Sequence, residues 1–194
     1  DYSYLTSIPN MSVMAPKHLW ELRAMLEFAV DYNGPIAIRY PRGQAYRGLK
    51  EFMNPIVYGQ GEMLFEEQDI ALLAVGSMVS TAEHIRDKLK ARGFQCSLAN
   101  GRFVKPFDAR LVDRLAHGHT RIVTLEENVL QGGYGLAVTA YIHRRYPQIR
   151  VMNVALPDAY VEHGNVSVLR AELGIDSDSI IRRLEAEGFL EDKT

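Results

Sequence analysis

Two kinds of hydrophobic pattern alternate along this chain, and together they predict its elements. Runs of apolar and β-branched residues predict strands, whereas apolar residues three or four positions apart predict helices. The run Asp69–Val75 is almost continuously apolar, which is typical of a parallel strand buried on both faces. Helical spacing marks Lys17–Tyr32, where it is carried by Leu19, Leu22, Met25, Leu26 and Ala29. Strands that alternate with helices favour an α/β fold with a doubly wound, mostly parallel sheet.

The predicted elements form an incomplete unit followed by a complete domain. The incomplete unit has a short strand ending at Val13–Ala15, the helix Lys17–Tyr32 and a strand at Ile36–Tyr40. The predicted strands of the complete domain are Tyr58–Phe65 at an edge, Asp69–Val75, Phe94–Ala99, Arg121–Leu125 and Arg150–Ala155. Its predicted helices are Val79–Ala91, Asp108–His117, Gly135–Tyr146, Val166–Leu173 and Asp178–Glu187. We therefore predict part of one α/β domain at residues 1–45, a linker at 46–55 and a whole domain at 56–194, with a frayed polar end at Glu191–Thr194.

Composition excludes several classes of protein. The 194 residues are 47% apolar and 24% charged, which is ordinary for a globular protein. The net charge of −2 gives no basic face for nucleic acid, and no apolar run approaches the roughly 18 residues of a membrane span. The single cysteine, Cys96, fits a reducing, cytoplasmic location and is predicted to be a small core residue. The sequence shows no signal peptide. Because it lacks an initial Met and begins directly with an aromatic-rich segment, we interpret it as the C-terminal piece of a longer protein.

The segment Ile36–Gly43, I-A-I-R-Y-P-R-G, delivers two arginines near the end of a strand. Pro41 stops the strand, so Arg42 lies at its carboxyl end, where open α/β sheets bind ligands. The planar guanidinium of Arg42 suits a phosphate or a carboxylate. Arg39 lies inside the strand and is predicted to pair with a carboxylate, because a buried unpaired charge is strongly unfavourable. The alternative for Arg42 is an ordinary surface arginine in a turn.

Glu126, Glu127 and Asn128 follow the predicted strand Arg121–Leu125, and a glycine-rich turn at Gly132–Gly135 opens the next helix. Adjacent carboxylates at a strand end could serve acid–base chemistry or hold a metal ion. The glycine spacing does not match a dinucleotide-binding turn, in which the glycines follow the strand directly. A structural role is therefore predicted for this region: helix capping, tight packing or hydrogen bonds between domains.

The remaining polar candidates are weaker. His163 follows the strand Arg150–Ala155 and could donate a proton or bind a ligand, but a satisfied loop histidine is the preferred interpretation. His117 and His119 lack a third ligand at a recognised spacing, so a metal site is rejected. Ser7 and Ser77 have no histidine and acid pattern beside them, which argues against a serine hydrolase.

Six segments, in order along the chain, resemble the 1-deoxy-D-xylulose-5-phosphate synthases, a family of thiamin-diphosphate enzymes. They are Asp1–Ala15, the R-Y-P-R-G of Arg39–Gly43, Arg102–Asp108, Leu125–Gly135, Leu156–Gly164 and Ala171–Asp176. The resemblance covers essentially the whole chain. It implies the end of a pyrimidine-binding domain followed by a transketolase-type C-terminal domain. It also implies that the parent enzyme joins pyruvate to glyceraldehyde 3-phosphate, and that Arg42 binds the phosphate of that aldehyde.

Some parts of the family's site do not occur in this sequence. The family holds Mg²⁺ and the diphosphate with a Gly-Asp-Gly segment, and this tripeptide is absent here. The glutamate that activates the cofactor precedes the matched region in the family, so Glu126 and Glu127 cannot be assigned that role. We therefore predict no catalytic, cofactor-binding or metal-binding residue in this chain, and no thiamin diphosphate bound to the chain alone.

The resemblance leaves two alternatives open. One is a 2-oxo-acid dehydrogenase β-subunit, which shares the architecture. The other is a non-catalytic module or subunit that pairs with a separate N-terminal chain. The strands of the unit at residues 1–40 are expected to lack strand neighbours within this chain. The unit should therefore need covering by another chain, most simply in a homodimer, with Leu22, Met25, Leu26, Ile36 and Ile38 buried in the assembly.

Overall fold

The structure, a computed structural model, describes residues 1–190 and contains two β-sheets. The prediction of a frayed end at Glu191–Thr194 lies outside the described residues. The larger sheet has five strands: β3 (Glu62–Phe65), β4 (Ile70–Ala74), β5 (Cys96–Asn100), β7 (Arg121–Val129) and β8 (Arg150–Leu156). The smaller sheet has three: β1 (Ser12–Met14), β2 (Ile36–Ile38) and β6 (Phe103–Lys105).

The larger sheet has the order β3-β5-β4-β7-β8. Strands β5, β4, β7 and β8 are parallel, and β3 is antiparallel to β5 at one edge. Strand β4 lies in the middle, and all of its residues are buried, as its continuous apolar run predicts. The predicted α/β class with a mostly parallel sheet is confirmed.

Helices cover both faces of the larger sheet, so it is doubly wound. The seven helices of the described chain are α1 (Tyr2–Thr6), α2 (Leu19–Asp31), α3 (Met78–Ala91), α4 (Ala109–Gly118), α5 (Tyr134–Arg145), α6 (Val166–Glu172) and α7 (Ser177–Ala186). Apolar residues of α3 and α7 share one core with one face of the sheet. Those of α4 and α5 share a second core with the other face, and Tyr2 of α1 belongs to it. No described helix combines the length and apolar character needed to cross a membrane.

The N-terminal unit joins the rest of the chain through the smaller sheet. Strand β1 pairs in parallel with β2 and antiparallel with β6, so β1 is the central strand. Neither β6 nor α1 was predicted from the sequence. Met14 of β1, Met25 of α2 and Phe103 of β6 form a small buried cluster against which Ile36 and Ile38 pack. The expectation that this unit lacks strand neighbours is therefore wrong for β1, whereas β2 keeps one open edge.

Several predicted boundaries are corrected. The strand predicted through Tyr40 ends at Ile38, and the edge strand predicted from Tyr58 begins at Glu62. The helix predicted from Lys17 begins at Leu19, because the His18 side chain accepts the N–H of Glu21 as its N-cap. Strand β7 continues to Val129, four residues beyond its predicted end. Residues 39–61 contain no helix or strand.

The apolar face of α2 is only partly covered within the chain. Met25 is buried, Leu22, Ile36 and Ile38 are half-buried, and Leu26 is 52% exposed. Burial of these residues by a second chain stays a prediction.

Candidate functional site

The crevice in which open α/β sheets usually bind ligands is filled by the chain itself. The chain leaves β4 toward β5 on one side and leaves β7 toward β8 on the other, which creates such a crevice at the carboxyl ends of β4 and β7. Tyr2 is 1% exposed, and a side chain at Gly76, just after β4, would meet its hydroxyl at 3.1 Å. The backbone N–H of Tyr2 donates to Asn128 Oδ1 at 3.1 Å. The N-terminal unit therefore packs where a ligand would otherwise enter.

Glu126 fills the anion site that the glycine-rich turn offers. Its carboxylate accepts the N–H of Tyr134 at 2.9 Å and the N–H of Gly135 at 2.8 Å, at the N-terminus of α5. A side chain at Gly133 would come within 2.5 Å of the same carboxylate, which explains the glycine there. The turn thus binds an internal carboxylate rather than a phosphate, and the predicted structural role as a helix cap agrees with this geometry.

Glu127 connects three segments that are distant in sequence. Its carboxylate lies 3.3 Å from Arg39 Nη1 and 3.2 Å from Arg170 Nη2, and it accepts the hydroxyl of Ser77 at 2.6 Å. Arg39 also lies 3.5 Å from Asp1. The prediction that Arg39 pairs with a carboxylate is confirmed.

The two neighbouring glutamates titrate in opposite directions. Burial raises the pKa of Glu126 to about 7, against the smaller effect of its two backbone hydrogen bonds. The pKa of Glu127 lies below its usual range, because Ser77, Arg170 and Arg39 outweigh the effect of burial. Burial therefore outweighs the groups that stabilise the charge of Glu126, whereas Glu127 has two arginines that help to offset its burial.

A buried ionic cluster joins the N-terminal unit to the larger domain. We name it the joint cluster: Lys17, Glu21, Glu62 and Arg102. Lys17 Nζ lies 2.9 Å from Glu21 and 2.7 Å from Glu62. Arg102 lies 2.7 Å from Glu21 and 3.1 Å from Glu62. All four side chains are at most 3% exposed, and two positive charges match two negative charges.

Neutral groups complete the joint cluster. Asn100 donates to both oxygens of Glu21 at 3.0 Å, and Asn54 donates to Glu62 at 2.8 Å. Arg102 adopts a positive φ of 52° and also donates to the carbonyls of Asn54 and Pro55. The cluster was missed from sequence, because only the Lys17–Glu21 spacing of four residues gives a local signal.

Arg42 lies on a large cleft between the N-terminal unit and the domain that follows. The cleft has a volume of about 1250 Å³, and we name it the arginine cleft. Its polar and charged lining residues are Lys17, His18, Arg42, Gln44, Tyr46, Arg47, Ser77, Ser80 and Arg170. Leu19, Leu22, Pro41 and Val166 are among its apolar lining residues. Arg42 is exposed, and none of the carboxylates in the described chain pairs with it.

The other candidates have structural surroundings. His119 is buried and its ring nitrogens contact the Leu115 carbonyl at 2.9 Å and Ser97 Oγ at 3.0 Å. Cys96 is a buried core residue, as predicted, and burial raises the pKa of its thiol. His163 lies in an exposed loop after β8. Ser7 donates to the Tyr4 carbonyl.

The chain's residues do not fit thiamin diphosphate and its metal ion. Within residues 1–190 no three His, Cys, Asp or Glu side chains are grouped so that they could hold a metal ion. The N-terminus of α5, which follows the glycine-rich turn, already binds the Glu126 carboxylate in place of an external anion.

Comparison with known proteins assigns the class. Residues 59–180 match the model of the transketolase C-terminal domain, and residues 1–47 match that of the transketolase pyrimidine-binding domain. The first match spans more than half of the chain, so the chain belongs to the transketolase C-terminal domain family.

Curated relatives narrow the comparison. The chain is 43% identical over 185 residues to 1-deoxy-D-xylulose-5-phosphate synthase of Lachnoclostridium phytofermentans and 41% identical over 189 residues to that of Desulforudis audaxviator. These alignments cover 95% and 96% of this chain but 30% of each relative. The resemblance found in the sequence motifs is confirmed, and the chain spans less than a third of these relatives.

Two solved structures share the fold. A split-gene transketolase, described as an inactive β4 tetramer, matches with a TM-score of 0.86 and 26% identity, over 95% of this chain and 59% of that chain. Transketolase from Campylobacter jejuni matches with a TM-score of 0.72 and 18% identity, over 95% of this chain and 27% of that chain.

Proposed function

We propose that this chain is the C-terminal part of a 1-deoxy-D-xylulose-5-phosphate synthase. Such an enzyme uses thiamin diphosphate to join pyruvate to glyceraldehyde 3-phosphate with loss of CO₂, and its product serves isoprenoid, thiamin and pyridoxal synthesis. The observation that carries the proposal is the 43% identity to such a synthase across 95% of this chain. Residues 1–45 would end the pyrimidine-binding domain, 46–55 would be the linker, and 56–194 would form the C-terminal domain.

The chain's own contribution would be one substrate-binding arginine and a scaffold. Arg42 would bind the phosphate of glyceraldehyde 3-phosphate, since it is exposed on the arginine cleft and has no carboxylate partner among residues 1–190. Thiamin diphosphate and Mg²⁺ would be held by segments outside this chain, so the chain alone would be inactive. The joint cluster and Glu127 would fix the Arg42 segment against the larger domain.

The test uses the enzyme made from the complete reading frame that encodes this chain. Arg42→Ala should raise the KM for glyceraldehyde 3-phosphate roughly tenfold to a hundredfold and leave the KM for pyruvate almost unchanged, because only the former carries a phosphate. Arg42→Lys should recover part of the loss, because a lysine keeps the charge without the planar fork. Equal changes in both KM values would show that Arg42 has only a structural role.

A second candidate is a subunit that works with a separate N-terminal chain. The likeness to a split-gene transketolase favours it, since that protein's description names an inactive assembly of one chain type. The length of the reading frame and the intact mass of the purified protein distinguish the two. A reading frame of about 194 codons would support the subunit; one about three times longer would support the fragment.

We also propose that the assembled protein is a cytoplasmic homodimer in which a second chain covers the open edge of β2 and the exposed Leu26 of α2. Exposed apolar residues beside an unpaired strand edge support this. Light scattering coupled to size exclusion measures the mass. A clean monomer in the complete protein would contradict the proposal.

A further inference from the structure

A second arginine of the arginine cleft has no role in the function proposed above. Arg47 lies five residues after Arg42 on the same segment, and both side chains are exposed. The charged residues that line the cleft are all basic: Lys17, Arg42, Arg47 and Arg170. The cleft therefore favours an anionic ligand. How strongly it attracts an anion depends on how many of these positive charges are not already paired with carboxylates.

Two of the four basic residues are already neutralised. Lys17 is paired with both carboxylates of the joint cluster, and Arg170 is paired with Glu127. Among residues 1–190, Arg42 and Arg47 have no carboxylate partner. Two uncompensated positive charges thus remain at the cleft.

The hydroxyl groups that line the cleft donate elsewhere. Ser77 donates to Glu127, Ser80 donates to the carbonyl of Ser77, and Tyr46 donates to Glu83. These neutral donors are engaged with the protein. Recognition of an anion therefore depends mainly on the two free guanidinium groups.

The two arginines are held differently by the backbone. Arg47 follows Tyr46, whose carbonyl accepts the N–H of Leu19 at 3.1 Å, and Leu49 just beyond is buried in the core. Arg42 precedes Gly43, which has a φ of 113° and open space around it. The backbone is thus fixed on both sides of Arg47, whereas Arg42 lies next to a glycine that has room to change its conformation.

We propose that Arg47 joins Arg42 in binding one phosphate monoester as its dianion. This rests on the proposed role of Arg42 and adds a second, fixed guanidinium to it. Two positive charges match the two negative charges of the ligand, and each planar fork can donate two parallel hydrogen bonds to phosphate oxygens.

The test is a titration of this chain with inorganic phosphate, followed by NMR chemical shifts at low ionic strength and pH 8. Arg47→Ala should weaken binding about fivefold to tenfold, and Arg47→Lys should weaken it less. Arg144→Ala, at an exposed arginine of α5 outside the cleft, is the matched control and should leave the affinity unchanged. Thermal unfolding of each variant verifies that it is folded.

The charge of the ligand gives a second readout. Wild type should lose more affinity between pH 8 and pH 5 than Arg47→Ala does, because the second charge of phosphate disappears and Arg47 loses its partner. Equal losses in the two proteins would overturn the proposal. So would unchanged affinity in Arg47→Ala together with weakened binding in Arg42→Ala, a result that keeps the role of Arg42. If neither substitution changed the affinity, or wild type did not bind phosphate, the phosphate role of Arg42 would fall as well.

Discussion

The joint cluster and the arginine cleft use the same kinds of charged residue in opposite ways. In the joint cluster, Arg102 is buried and shares two carboxylates with Lys17. On the cleft, Arg42 and Arg47 are exposed and have no carboxylate partner among the described residues. The buried charges are balanced and fixed, while the exposed ones stay available. Pairing, more than residue type, separates a structural arginine from a candidate ligand-binding one.

The largest loss of stability should come from removing one charge of the joint cluster. Lys17→Met leaves Glu21 and Glu62 facing a single positive charge, and removing one partner of a buried ion pair typically lowers the free energy of unfolding by about 3–5 kcal/mol. Chemical denaturation of this chain measures it. The double variant Lys17→Met/Glu62→Gln restores the charge balance and should be less destabilised than Lys17→Met alone.

A matched control lies on α2, the helix that also carries Glu21. Arg23 and Glu27 form a pair with the same spacing of four residues as Lys17 and Glu21, but their side chains are 83% and 70% exposed. Arg23→Met should leave the denaturation midpoint unchanged, because solvent screens an exposed pair. If Lys17→Met were equally harmless, the joint cluster would not stabilise the fold.

Glu126 gives the next largest effect on stability, because its burial outweighs the groups that stabilise its charge. Its pKa is raised from about 4.5 to about 7 in the folded protein, so the folded state binds the proton more tightly than the unfolded state. The stability of wild type relative to Glu126→Gln is therefore greatest below pH 4.5. It should fall by up to about 3 kcal/mol as the pH rises to 7.

Comparison of wild type with Glu127→Gln should show the opposite pH dependence of stability. The pKa of Glu127 is lowered, so its contribution is present above the ordinary glutamate pKa and is lost as the pH falls through the folded value. Denaturation curves of the three proteins between pH 3 and pH 8 measure both trends, the Glu127 trend at the acid end and the Glu126 trend above pH 4.5. Parallel trends for the two variants would show that Glu126 is not the uncompensated charge.

The smallest effect on stability should come from the cleft. Arg42→Ala and Arg47→Ala remove side chains that are exposed and unpaired with any described carboxylate, so the unfolding midpoint should not move. Thermal unfolding monitored by circular dichroism measures this. A clear destabilisation would mean that these arginines make structural contacts. They would then not differ in role from Arg102 of the joint cluster.

The sequence predicts the larger domain better than the contacts that join it to the N-terminal unit. The apolar run of β4 is recognisable because that strand is buried on both faces. Strand β6 was missed, since it has only three residues, of which Lys105 is polar, follows the polar Arg102 and shows no periodicity. Strand β7 was cut short because Glu126, Glu127 and Asn128 look like a loop until their partners are known.

The candidate site shows the same limit. The predicted strand that ends before Pro41 was enough to single out Arg42. The position of Arg39 within that strand was enough to predict that it pairs with a carboxylate. Glu62 and Arg102 of the joint cluster are 45 and 85 residues from Lys17 (62 − 17 and 102 − 17), so no local pattern connects them. Their side chains meet only in the tertiary structure, and an arrangement of this kind leaves no periodic trace in the sequence.

The packing of Tyr2 against β7 also has a consequence for the order of events during synthesis. The N–H of Tyr2 and its acceptor Asn128 are 126 residues apart, and Ser3 donates to the carbonyl of Gln131 across 128 residues. At the usual rate of translation, the acceptor is made on the order of ten seconds after the donor. Helix α1 must therefore wait, with Tyr2 not yet in its buried position, until β7 is complete. During that interval the nascent chain is a natural client for a chaperone that shields hydrophobic segments.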